Sequence, residues 1–342
     1  LGGTATGSLD FAQESANAFP RADARLRIDD FTRTSLASVS QPVDLHVVGR
    51  LLADGGNARA IIRRRGAAIG RMHVNLRPLA PGAGPWTTRV LAAPLSGGLR
   101  YNGPASTLFS LAALPDQNLT GAIGVAADFS NRVQTPVLTG VVRANNLTYE
   151  NNAYGTRLTN MKLRGEFTND RLQVTELTAT AGDGTISGSG FVSLSSEKGF
   201  PIQLALDNAQ LARGNDLAAS ATGQIQVINN ASERAVIKGR IRLPETRYKI
   251  VREGSTKVAT LTGVRRKPAL GRKKITGDAE PISGVPDNWK LEIDLVADNQ
   301  IYVSGMGLNS EWSADIKVRG TTGNPVLTGG IDLVRGTLGF AG

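Results

Sequence analysis

The sequence predicts an all-β chain, a meander of many short antiparallel strands with few helices. Three observations predict it. Apolar and polar residues alternate with a period of two along most of the chain, as they do when successive side chains point to opposite faces of a strand. Glycine supplies 40 of 342 residues, well above the roughly 7% of ordinary usage, while aromatics make up only 5%. Helical periodicity is confined to two short stretches.

Taken in order, the alternation opens with Arg25-Leu26-Arg27-Ile28-Asp29, Asp44-Leu45-His46-Val47 and the run Met72 to Arg77. It continues through Met161 to Arg164, Leu172 to Thr175, Ile202 to Asp207 and Gln224 to Val227. Arg240 to Leu243, Leu291 to Leu295, Ile301 to Val303 and Asp315 to Arg319 complete it. Gly, Asn, Asp and Pro lie between these runs, at the spacing of hairpin turns. A short helix is expected within 104–114, where Pro104 precedes Leu108, Phe109, Leu111 and Ala112, and a turn or two of helix within Asp30 to Val39.

The segment 253–287 breaks the alternation. Arg265, Arg266, Lys267, Arg272, Lys273 and Lys274 crowd around Pro268 and Gly271, and the stretch is expected to be a long basic loop. The organisation read from the chain is therefore a β-rich segment over 1–118, a repeat-like β segment over 119–252, the basic loop, and a β continuation over 288–342. Repetition shows in Pro136-Val137-Leu138-Thr139-Gly140, which returns as Pro325-Val326-Leu327-Thr328-Gly329 and is echoed by Leu119-Thr120-Gly121 and Leu261-Thr262-Gly263.

Cysteine is absent, which excludes a disulfide scaffold, a cysteine zinc site and a thiol nucleophile. Lys and Arg exceed Asp and Glu by 39 − 29 = 10, with a pI near 10.1, so an anionic partner is expected: nucleic acid, phospholipid headgroups or an acidic polymer. Nucleic acid is disfavoured because no aromatics interleave with the cations. No run reaches the 18 uncharged apolar residues of a membrane-spanning helix. The chain opens on Leu1 with neither an initiator methionine nor a leader, and is expected to be a piece of a longer one whose anchor or signal lies upstream.

The candidate inward positions are the apolar members of the alternation: Leu204, Leu206, Ile225, Val227, Ile241, Leu243, Leu291, Ile293, Leu295, Ile316 and Val318. Alternation leaves two architectures open, a sandwich that buries this face against a second sheet and an elongated sheet whose curl leaves an apolar groove. His46 and His73, the two histidines, fall on the polar side of their strands and read as solvated residues rather than a metal pair. Gly182-Asp183-Gly184 and Gly188-Ser189-Gly190 have β-type residues on both sides, so they read as a hairpin turn and a glycine-containing strand, not a phosphate loop. Arg63-Arg64-Arg65 and the six cations Arg265 to Lys274 are candidates for headgroup contact. No constellation suggests catalysis, a metal or a cofactor, and the chain is expected not to be an enzyme.

The run from Pro136-Val137-Leu138-Thr139-Gly140 through Asn145-Asn146-Leu147-Thr148-Tyr149 and Gly155 to Met161, then Leu177-Thr178-Ala179 and Gly182 to Gly190, resembles the C-terminal half of the TamB family. Trp86 followed by Ala93 to Leu99, Gly103-Pro104, and the phrase Gly320 to Gly336 add to the resemblance. It covers most of the chain in loose strand-and-turn phrases. The resemblance implies a U-shaped β-taco, a groove with an apolar interior that carries phospholipid to the outer membrane of a Gram-negative bacterium and assists assembly of outer-membrane proteins, autotransporters among them. It implies a periplasmic segment anchored in the inner membrane by an N-terminal helix not present here. It also implies an Omp85-type, TamA-like barrel as partner through a further C-terminal segment, and contact with nascent outer-membrane proteins. The alternative reading is a lumen-free structural or adhesive β-solenoid. A membrane-embedded barrel is disfavoured by the scarce, dispersed aromatics.

Overall fold

The computed structural model describes residues 2–15, 18–33, 40–77, 85–110, 117–152, 154–193, 199–229, 235–251 and 288–339. The first part of the chain forms β1 (Gly2–Ala12), β2 (Arg21–Thr32), β3 (Val43–Leu52), β4 (Gly55–Arg64), β5 (Ala67–Leu76), α1 (Trp86–Leu91), β6 (Leu95–Pro104), α2 (Ala105–Ser110), β7 (Gln117–Thr120), β8 (Ala122–Arg132) and β9 (Thr135–Asn151). The remainder forms β10 (Thr156–Asn169), β11 (Arg171–Ala181), β12 (Gly184–Ser193), β13 (Phe200–Arg213), β14 (Leu217–Asn229), β15 (Val236–Arg242), β16 (Thr246–Lys249), β17 (Lys290–Gly305), β18 (Leu308–Thr321) and β19 (Asn324–Leu338).

All of these strands belong to one 19-stranded sheet. Strands account for 79% of the structure and helices for 4%, as the alternation requires. Sequence neighbours pair antiparallel almost throughout, from β1 with β2 to β18 with β19. Two lines of the sheet are broken strands: β7 and β8 share the side of β9, and β15 and β16 share the side of β14, interrupted at Leu243 to Glu245 where Pro244 denies the ladder a donor. β17 returns parallel to β15 and β16, so the chain between them connects strands that run the same way. The expected basic loop 253–287 occupies this connection, with residues 252–287 outside the described part.

Among the described residues helix enters only on either side of β6. α1 follows Pro85, whose φ of −69° suits a helix entrance. Its Trp86 meets Phe19 edge-on at 6.1 Å, and Arg89 stacks over the same ring at 4.8 Å, which ties the β5–β6 connection to the β1–β2 connection. The Gln134 N–H donates to the Leu91 carbonyl, so α1 also touches the β8–β9 turn. α2 lies on the opposite margin, where Gln41 N donates to Ser110 Oγ at 3.2 Å and Phe109 meets Tyr149 edge-on at 6.3 Å. The helix expected within 104–114 is thus α2 over Ala105–Ser110, with 111–116 outside the described residues. Of the range Asp30 to Val39, where a turn or two of helix is expected, Asp30 to Thr32 instead finish β2, and 34–39 lie outside the described residues. α1 carries too few residues to show a period in the sequence.

The repeated pentapeptide proves to be a structural unit. Pro136 and Pro325 each stand second in a strand entered from a two-residue turn, and Gly140 and Gly329 both adopt positive φ, +150° and +132°. A Cβ at either glycine falls 2.0 Å from a carbonyl of the neighbouring strand, at Ala126 and Asp315 respectively, so no other residue fits. Glycine in this chain is therefore as much a strand residue as a turn residue. Gly182, with φ of +64°, and Asp183 make the expected two-residue turn between β11 and β12.

Candidate functional site

Register turns the alternation into rows that cross the sheet. One row runs without interruption through Ala5, Ile28, Leu45, Ile62, Gly70, Tyr101, Val125, Val142, Gly165, Val174, Gly190, Ile202, Val227, Ile237 and Leu291, from β1 to β17. A second passes through Gly7, Leu26, Val47, Ala60, Met72, Leu99, Ala127, Gly140, Phe167, Leu172 and Val192. A third links Ala144, Leu163, Leu177, Gly188, Leu204, Ile225, Gly239, Ile293, Val318 and Leu327. A fourth links Ala179, Ile186, Leu206, Gly223, Ile241, Leu295, Ile316 and Gly329. None of the four contains a charged residue. Partners opposite one another share a face, so the rows make one apolar face.

Every predicted inward position lies on that face. Leu204, Ile225, Ile293 and Val318 stand in the third row, and Leu206, Ile241, Leu295 and Ile316 in the fourth. Val227 and Leu291 stand in the first, and Leu243, just past β15, packs against the cluster built on Ile241 and Leu206. Glycines inside the rows make room for the large side chains beside them: Leu204 and Leu177 both reach over Gly188, where a Cβ would meet their Cδ2 atoms at 2.7 and 3.2 Å.

The face is only half covered. Leu206, Ile241 and Leu291 are buried, whereas Leu204, Ile225, Val227, Leu243, Ile293, Leu295, Ile316 and Val318 keep intermediate exposure. Alanines dominate the buried apolar residues, and the main cluster draws on successive strands from β10 to β17 rather than on an opposing layer. A dry sandwich core buries its large aliphatics, so the structure favours the open alternative. The one described helix that leans on the face is α2, whose Ala105 joins Ala144 and Leu147 in a second cluster.

Polar atoms on this face are few: among the described residues the Thr246 hydroxyl and that of Thr107 on α2 are buried without a hydrogen-bond partner, whereas two phenols are bonded. The Tyr101 hydroxyl donates to the Pro104 carbonyl at 2.8 Å and that of Tyr149 to Gln117 Oε1 at 3.0 Å, and burial pushes both phenols above their ordinary pKa. The opposite face is polar and ionic. There Arg319 bonds Asp294 at 2.7 Å and holds its carboxyl below the usual range, while Lys290 and Lys238 do the same for Glu292. His46 and His73 both stand on this polar face, opposite Arg27 and Arg59 on the neighbouring strands. No cluster of three His, Cys, Asp or Glu able to hold a metal exists among the described residues. Arg63 and Arg64 end β4, while Arg265, Arg266, Lys267, Arg272, Lys273 and Lys274 lie outside the described residues.

The family model of the TamB C-terminal domain matches residues 173–342, from β11 onward. The chain belongs to the TamB family. Members of this family serve outer-membrane assembly and lipid transport in general, in the envelope of Gram-negative bacteria, alongside the outer-membrane assembly machinery. Searches of curated proteins and of solved structures returned no match. No described helix of this TamB chain is long and apolar enough to cross a membrane.

Proposed function

We propose that the apolar face is a track for phospholipid acyl chains, and that the chain is a periplasmic segment of a TamB protein that passes lipid toward the outer membrane. The observation that carries this reading is the charge-free row from Ala5 to Leu291, in which Ile28, Leu45, Ile62, Val125, Val174, Ile202, Val227 and Ile237 keep intermediate exposure while Tyr101, Val142 and Leu291 are buried. A continuous apolar surface of this kind needs an apolar ligand to shield it from water. Each tail CH₂ moved onto it gains about 0.8 kcal/mol, and because adjacent rows are alike a tail shifts along with small barriers. The process makes and breaks no bond, needs no cofactor and is not enzymatic. Aliphatic and glycine rows give a smooth wall, so selectivity among tails is weak. In the same reading, the parent chain is anchored in the inner membrane, meets an Omp85-type barrel, and assists nascent outer-membrane proteins such as autotransporters.

The test is lipid mass spectrometry on the protein purified in mild conditions. Near-stoichiometric phospholipid is expected for the parent, lost in Ile293→Asp and in Leu295→Asp, since both residues stand on the apolar face and a charge there must be desolvated by any passing tail. Gln226→Asp, on the exposed polar face, retains lipid. Folded protein free of lipid overturns the track and favours a lumen-free scaffold.

A further inference from the structure

The polar face is not uniform in charge. From β10 onward five of its cations are paired across strands, Arg157 with Glu150, Arg164 with Glu176, Lys238 with Glu292, Arg319 with Asp294 and Arg335 with Glu311, while Arg240 and Lys317 among others make no ion pair among the described residues. Between β2 and β9 the free cations are all arginines. Arg25, Arg59, Arg71 and Arg143 make no ion pair among the described residues, and all four are exposed. The acids nearest to Arg25 and Arg59 are already engaged: Asp23 holds Arg50 at 2.6 Å, Asp29 holds Arg27 at 2.9 Å, and Asp44 accepts the Asp30 N–H at 3.1 Å.

Three of the cations surround a hollow. Arg71 on β5, Arg100 on β6 and Arg143 on β9 line it together with Gly124 and Ala126 of β8 and the apolar Ile69, Val125 and Val141, in a space of about 420 Å³. Arg100 is held by Asp128 at 2.7 Å and by the Ala127 carbonyl at 2.9 Å, which fixes one guanidinium and leaves Arg71 and Arg143 with open donor sets. Beyond the hollow, the row Arg25, Val48, Arg59, His73 extends the basic strip, with Val48 half exposed between two arginines.

We infer that the polar face from β2 to β9 docks on an anionic phospholipid bilayer, with a phosphate headgroup seated between Arg71, Arg100 and Arg143. Guanidinium groups suit this ligand because their planar donors match phosphate oxygens in pairs, and the strip spreads its cations over a broad face with an apolar side chain among them. A nucleic acid fits less well, since the one aromatic beside the hollow, Tyr101, is buried with its hydroxyl bonded to the Pro104 carbonyl and offers no face for a base to stack on. The hollow borders Gly70, Tyr101 and Val125 of the first apolar row, but the arginines on which this inference rests alternate with those residues and stand on the polar side of the sheet.

The experiment is co-sedimentation of the full chain with vesicles of phosphatidylcholine, with and without 30% phosphatidylglycerol. Binding is expected only to the anionic vesicles. Each cation near such a surface contributes about fivefold in partitioning, so Arg71→Ser with Arg143→Ser lowers it about twenty-fivefold. The control pair Lys238→Ser with Arg319→Ser removes the same charge from neutralised sites and leaves binding within twofold. Circular dichroism and urea midpoints establish that all variants fold. Equal losses in both pairs reduce the effect to net charge and overturn the site, as does unchanged binding in the first pair. Loss of binding to soluble dextran sulfate but not to vesicles overturns the membrane as the partner. Vesicle binding that fails while copurified lipid persists sinks this inference alone and leaves the track standing.

Discussion

The stretch β1 to β9 and the stretch β10 to β19 share one sheet and one apolar face, yet they stabilise that sheet differently. The first carries both helices at its strand ends, where Trp86 and Phe19 on one margin and Ser110 and Gln41 on the other tie connections that are far apart in sequence. The second has no helix among the described residues and, beside cross-strand ion pairs of the kind the first also has, relies on the cluster around Ile186, Leu206 and Ile241. The difference separates two jobs. Strand-to-strand pairing suffices to build the sheet, whereas bracing at the margins is a local addition found among the described residues of the first stretch.

The glycines test whether the two stretches are built by one rule. Gly223, at φ +147°, has no room for a Cβ, which would sit 2.2 Å from the Arg240 carbonyl. Gly223→Val is expected to cost about 4 kcal/mol from strain and overpacking, seen as a large fall in the urea midpoint or loss of folded protein. Gly66→Ala, at φ +81° in open space, is expected to cost only about 1 kcal/mol. The repeat sharpens the comparison further. Gly140→Ala lowers global stability, whereas Gly329→Ala, on β19, which among the described residues pairs only with β18, frays β19 and leaves the rest protected in hydrogen exchange.

Next in size is the cluster under α2. Leu147 is 1% exposed, and Leu147→Ala is expected to lose about 3 kcal/mol, while Leu327→Ala, 65% exposed on β19, changes stability by less than about 0.5 kcal/mol. A similar loss at both positions breaks the contrast between a braced interior and an open edge. Trp86→Ala, which removes the ring contact between α1 and Phe19, is expected to cost about 1 kcal/mol and to raise hydrogen exchange in the β1–β2 and β8–β9 connections together.

The smallest effect is electrostatic. Asp294 and Glu292 have depressed folded pKa values relative to 3.8 and 4.5, so their contribution is present above those values and lost as pH falls through the folded ones. The urea midpoint of the protein is expected to fall from pH 5 to pH 3, and Arg319→Ala to shrink that fall by removing the Asp294 part. An unchanged pH dependence in Arg319→Ala assigns the acid sensitivity elsewhere.

Much of the face was legible in the sequence. All eleven inward positions, from Leu204 to Val318, follow from alternation, and each stands on the apolar side. The helix at Trp86 was not legible, because six residues make less than two turns and its reason for existing is the Phe19 ring, far away in sequence. Nor was the parallel return of β17, since the residues of β15 and β17 alternate in the same way whichever direction they run. The hollow between Arg71, Arg100 and Arg143 left no trace in sequence spacing either, for its rim comes from three strands brought together by register.

Period-two alternation is a local property of the chain, so the sequence alone determined that these residues form strands with one apolar and one polar side. Whether that apolar side would close on a second sheet or stay open depends on where strands bend and which pair, and these are relations between distant residues. The tertiary structure decided them, through glycines such as Gly140 and Gly329 that let neighbouring backbones approach where a Cβ cannot, and through the single register that lines the apolar side chains of successive strands into rows.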